Sequence, residues 1–307
     1  MPKQLTIAAI TLAVLLVPIA STTRAQNAAP KQSATATAQA APANAPDDEP
    51  EHLDGWYRPV PTVAPDQKSG PAPAHDISGT WEPAKGWRNG VQASGAYNFP
   101  SDGKHTLPYT PAGEAAWKTH KYGDGFGSYP LEEVNDPFEM CDPIGFPRID
   151  LHDLRAVEIV QTPKKVLMVY ENDQVWRDIW TDGRDFPKTI EPRWYGYSVG
   201  KWTDPTTFVV ETTGLDDRTW IDNAGRPHTK DLKVEETFHR VSHDIMELTV
   251  TITDPAYYTK PWNALDKYPL QLQSDSFDIR EMVCSESEEA EYNKEIGEQA
   301  AESKGKK

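Results

Sequence analysis

Leu232-Lys233-Val234-Glu235-Glu236-Thr237-Phe238-His239-Arg240 and Met246-Glu247-Leu248-Thr249-Val250-Thr251-Ile252-Thr253-Asp254 are two strands joined by a turn at Ser242-His243-Asp244. Side chains alternate between faces along a strand. In the second strand Met246, Leu248, Val250 and Ile252 face one way, and Glu247, Thr249, Thr251 and Thr253 face the other. That is the pattern of an antiparallel sheet with one buried face. In the first strand Leu232, Val234 and Phe238 share a face, and Glu236 and Arg240 fall on it too. A strand spends inward positions on charges only where they pair, hold a ligand or do chemistry.

Working outward, short strand segments follow one another. They cover 156–162, 166–171, 175–181, 195–202 and 208–213, with turns at Pro163-Lys164, Asn172-Asp173, Asp182-Gly183 and Asp204-Pro205. Asp76 to Trp81 reads as the entry to a first strand, and Ser276 to Val283 as the last, after an aromatic, Pro-containing loop from Tyr257 to Pro269. Thr110 is placed to cap a short helix that starts at Pro111 and runs to Lys121. Cys141 to Arg148 reads as a Pro-punctuated loop. Short connections favour antiparallel neighbours. The expected fold is mostly β, an antiparallel up-and-down β-barrel or strongly curved sheet with one or two short helices, since closure removes unpaired edges. A sandwich would carry the same alternation.

The ends have different compositions. Lys3, the apolar run Ile7 to Ile19 and the stretch to Ala25 read as a signal peptide over 1–25, with the apolar part too short to span a bilayer comfortably. Residues 26–74 form an Ala/Pro-rich, disordered leader, 75–284 the β-domain and 285–307 a charged helix or tail. The expected location is therefore exported, periplasmic or secreted, with no integral membrane span in the mature chain. Net charge is −16, and losing Lys3 and Arg24 leaves −18. That excludes the basic patches nucleic-acid binding needs. The two cysteines, Cys141 and Cys284, are expected to form a disulfide in an oxidising compartment, the alternative being a reactive thiol.

Candidate functional residues fall into groups. Arg177 lies between Val175 and Ile179 on an inner face, Glu171 is read on the same face as Leu167 and Val169, and Asp254 ends an apolar row. With Glu236 and Arg240 these are the candidate catalytic or ligand-fixing charges, since paired carboxylates and guanidiniums can hold a proton for acid/base work. A structural ion-pair network is the plain alternative. The segment Thr219 to His228 combines Trp220, Asp222, Asn223 and His228, and loops on rigid scaffolds carry sites. Arg184 and Arg148 are candidates for an anionic group. Trp176 and Trp180 sit on the face opposite Arg177, and Trp194, Tyr195, Tyr197 and Trp202 crowd one segment. Aromatics of this kind suit flat or sugar-like ligands, or simply pack. Eight histidines without paired ligand spacing imply neither a metal nor a cofactor.

Four strings resemble a family of exported bacterial β-rich proteins of uncertain function: Cys141 to Arg148, Tyr195-Gly196-Tyr197-Ser198-Val199-Gly200-Lys201-Trp202, Thr212-Thr213-Gly214-Leu215-Asp216-Asp217 and Trp220 to His228. The resemblance covers residues 130–285 and transfers no catalytic residue. Gly79-Thr80-Trp81 is similar to the Gly-Xaa-Trp entry of lipocalin-like barrels. That resemblance implies a Trp packed under the barrel against a late-strand arginine, here Arg240 or Arg280.

Three functional readings follow. The first is a barrel binding a small amphipathic or aromatic ligand. The second is a metal-independent lyase, isomerase or hydrolase using Glu236 or Glu171 with Arg177 or Arg240. The third is an envelope interaction protein without a pocket. The first two require the inner charges to converge on a cavity, and the third a filled interior.

Overall fold

The computed structural model describes residues 69–84, 95–100, 104–122, 133–151 and 156–285, with four isolated positions beyond. The signal segment, nearly all of the leader and most of the charged tail lie outside the described residues. Nine strands close into a barrel in chain order, with β9 hydrogen-bonded to β1. They are β1 (Gly79–Pro83), β2 (Val157–Gln161), β3 (Lys165–Tyr170), β4 (Trp176–Trp180), β5 (Tyr197–Asp204), β6 (Thr207–Thr213), β7 (Lys233–Arg240), β8 (Ile245–Thr253) and β9 (Trp262–Leu272). Closure decides between barrel and sandwich.

Strand parity imposes one departure from an all-antiparallel order. Direction must return to itself around a closed ring, so an odd number of strands needs at least one parallel neighbour. That pair is β4 and β5, joined over only two registered positions, Ile179 to Ser198 and Trp180 to Val199. A parallel pair cannot be closed by a hairpin and needs a long crossover. Residues 181–196 supply it along the outside of the barrel wall.

The period-two reading of the opening hairpin holds residue by residue. In β7 the buried positions include Val234, Glu236, Phe238 and Arg240, and in β8 they include Met246, Leu248, Val250 and Ile252. β3 corrects the expectation for Glu171. Its buried row is Val166, Met168 and Tyr170, so Leu167 and Val169 look outward. Both faces of β3 are apolar, and alternation carries no parity there. β9 is the second correction. Most of the expected Tyr257–Pro269 loop is strand, while Ser276 to Val283 forms only an isolated bridge between Met282 and Asn172. Lys267 adopts a left-handed φ of 54° where the β8–β9 register shifts. That bulge resets the alternation and hid the strand.

Three devices close the ends. Helix α1 (Pro111–Trp117) is capped as expected by Thr110, whose hydroxyl accepts from Gly113 N. It stops a turn before Lys121. At the β7–β8 hairpin end, Trp81 is fully buried and Arg240 lies 4.9 Å from its ring. The Arg240 guanidinium donates to the carbonyls of Asp76 (2.9 Å) and His243 (2.7 Å). Of the two arginines expected against this Trp, Arg240 makes the contact. Cys141 and Cys284 are disulfide-bonded, with Cα atoms 5.5 Å apart and a sequence separation of 143. A loop of that length removes about 5 kcal/mol of chain entropy from the unfolded state. No helix among the described residues is long and apolar enough to cross a membrane.

Candidate functional site

Arg177 and Glu236 meet inside the barrel. Arg177 Nη2 donates to Glu236 Oε2 at 2.7 Å and Nη1 to Oε1 at 3.1 Å. Nη1 also donates to Tyr170 Oη (2.8 Å), and Nη2 to Thr212 and Ser198 hydroxyls (3.3 and 3.4 Å). Phe146 lies 3.7 Å beneath the guanidinium. Burial disfavours the charge on Arg177, but Glu236 and Tyr170 outweigh it and raise its pKa.

A third ionisable group was missed from the sequence. Helix α2 (Arg148–Leu151) is one turn, and all four of its residues are buried. Asp150 points into the cluster beside Glu236 and Tyr170, with Oδ2 3.9 Å from Arg177 Nη1. Burial, then the Glu236 charge, pushes its pKa well above the ordinary range, and Arg177 only partly opposes this. One guanidinium facing two buried carboxyls thus favours the protonated form of Asp150. Asp150 was hidden because the string around it reads as a loop, and a single buried turn has no apolar period.

The remaining candidates are dispersed. Arg240 belongs to the far end, closing on Trp81. Glu171 is fully buried beneath the C-terminal segment and accepts from Arg280 at 3.2 Å. Asp254 accepts from Thr229 N (2.6 Å) and caps that turn. Residues 219–228 are buried throughout, which corrects their reading as an accessible loop. Asp222 pairs with Arg226 and accepts from Ala96 N and Ala224 N. His228 is held between Thr219 Oγ1 and the Thr229 carbonyl, and burial lowers its pKa. Trp220 stacks on His120 at 4.7 Å. Arg148 is held by Asp136 through two 2.6 Å bonds and by Asn223 at 2.9 Å. All of these side chains are buried, so none presents a polar face to solvent. Among the described residues no group of three or more His, Cys, Asp or Glu is arranged to hold a metal ion.

An accessible concavity does occur at the β4–β5 seam. Because the two strands pair over two positions only, the wall opens into a cleft of about 450 Å³ lined by Trp176, Trp180, Trp194, Tyr197, Arg184 and Arg193 among others. Trp176 is 66% exposed, the second most exposed large apolar side chain described. Trp176 and Trp180 project from the same outer face, about 13 Å apart along the strand. Cations hold the aromatic walls. Arg184 lies 3.5 Å over Trp180 and is clamped by Asp182 (2.8 and 2.7 Å). Arg218 lies 4.2 Å over Trp194 and is clamped by Asp216. The crossover that parity requires therefore also supplies one wall of the cleft.

Comparison with family models, curated proteins and solved structures gives no match for this chain.

Proposed function

We propose that this is an exported barrel protein that binds a small, flat, aromatic or amphipathic molecule at the β4–β5 cleft. One observation carries the reading. Trp176 is left two-thirds exposed beside Trp180, Trp194 and Tyr197 in a concave, cation-braced site. Aromatic-lined concavities with a few polar groups are the usual form of a small-molecule site. The disulfide fits an oxidising, exported setting. The barrel interior is not the site, because Arg177, Glu236 and Glu171 are sealed and paired. For the same reason the acid/base reading that relied on these carboxylates has no substrate access. The large cluster of buried apolar side chains inside the wall supports a second reading, an envelope interaction protein without a small-molecule pocket.

The test is a thermal-shift and tryptophan-fluorescence screen of the full chain against aromatic acids, sugars and lipids. A ligand at a hundredfold its Kd stabilises by about 2.7 kcal/mol. Trp176→Ala should abolish the shift and the quenching. As a surface change it should leave the unliganded stability within about 0.5 kcal/mol. No shift with any compound, or binding untouched by Trp176→Ala, favours the second reading.

A further inference from the structure

The charges around the cleft do not cancel. Its lining carries three guanidiniums, of Arg177, Arg184 and Arg193, against one carboxylate, Asp178. Arg177 is taken by Glu236 and Arg184 by Asp182, while Asp178 is taken by Lys165 at 2.9 Å. Arg193 is different. It is exposed, and its guanidinium has no hydrogen-bond or ion-pair partner among the described residues. It lies 5.9 Å from the centre of the Tyr197 ring. Its backbone is fixed independently, since Arg193 N donates to Gly214 O and Arg193 O accepts from Asp216 N. An anchored backbone presenting an uncommitted guanidinium at the rim of an aromatic cleft is unexpected in a chain of net charge −16.

We infer that the cleft selects planar aromatic carboxylates, the ring stacking on the exposed Trp176 while Trp180 is already covered by Arg184 and Lys165, and the carboxylate pairing with Arg193. This rests on the cleft being the binding site. A guanidinium matches a carboxylate with two parallel N–H bonds, which a neutral amide or an ammonium cannot reproduce. The selection is thus by charge and fork geometry at one end and by ring area at the other.

The experiment uses the full chain and three matched probes: 2-naphthoate, 2-naphthamide and 2-naphthylmethylammonium. Titrations follow tryptophan quenching at low salt. The carboxylate should bind about two- to fivefold tighter than the amide, the range of one solvent-exposed ion pair. The ammonium should bind weakest. Arg193→Gln should bring acid and amide to equal affinity without weakening the amide, and Trp176→Ala should weaken both. Equal binding of acid and amide to the wild-type chain, or a preference that survives Arg193→Gln, overturns the inference and leaves the cleft standing as a site. Absence of binding by all three probes removes the cleft reading, and the inference with it.

Discussion

Arg177 and Glu236 are joined in a two-pronged ion pair inside the barrel, with side-chain exposures of 1% and 0%. A pair this buried is weak evidence for net stability, because desolvating two charges offsets their attraction. Breaking it from one side is another matter. Glu236→Gln should cost about 3–5 kcal/mol in urea unfolding, since Arg177 is then buried against neutral partners. Asp150 stands close enough to ionise in compensation. The double variant Asp150→Asn/Glu236→Gln should therefore lose more than the sum of the two single losses. Replacing Arg177 by Met and Glu236 by Leu together should cost far less than Glu236→Gln alone. An unchanged unfolding midpoint for the double variant Asp150→Asn/Glu236→Gln would mean that the pair is solvated.

The inner side of β7 was legible because its outer side is polar. Val234, Glu236, Phe238 and Arg240 were placed correctly by parity alone. What parity does not encode is height. Arg240 lies four residues from Glu236, about 13 Å along the strand. That distance puts it in the end closure with Trp81 rather than beside Arg177. Glu171 failed for the opposite reason, since β3 is apolar on both faces. β9 was hidden by the bulge at Lys267 and by Pro269, which read as breakers. Residues 219–228 read as a surface loop because their composition is polar. Their burial depends on Asp222, Arg226 and His228 each finding a partner, which no local pattern announces. The cleft follows from an odd strand count, a global property. Its aromatic members were visible in the sequence, but their grouping was not.

Asp150 gives the protein a pH dependence of predictable sign. Its folded pKa lies well above the ordinary 3.8. Below pH 3.8 it is protonated in both states and contributes no penalty. As pH rises past 3.8, the unfolded chain gives up a proton that the folded state retains. Stability then falls, by at most about 1.4 kcal/mol per pH unit, until the folded pKa is passed. His228 acts in the opposite sense. Its folded pKa is lowered below 6.5, so its contribution is lost as pH falls through that window. Asp150→Asn isolates the first effect. At pH 8 the variant should be at least as stable as the parent, and near pH 4 the advantage should vanish. An equal loss of stability at both pH values would show that Asp150 matters for its shape and not for its proton.

Gly200 tests whether the barrel is filled. It faces inward on β5, opposite Val210 of β6. A β-carbon there would collide with the Phe208 ring and lie 2.8 Å from Ile179 Cγ2. Phe208 and Ile179 are both fully buried, so neither can swing into solvent. In a hollow, ligand-holding barrel Gly200→Ala would be neutral, because a methyl group would enter open space. In a filled one it must displace packed side chains, at about 1–3 kcal/mol. The filled interior predicts that loss in chemical unfolding. It also predicts partial recovery when Phe208→Leu is added, since removing ring atoms vacates the space the new methyl needs. A Gly200→Ala variant as stable as the parent would restore the interior as a place for a ligand. The same variant with a lowered midpoint and intact binding at the cleft would locate recognition on the outside of the wall, where Trp176 stands.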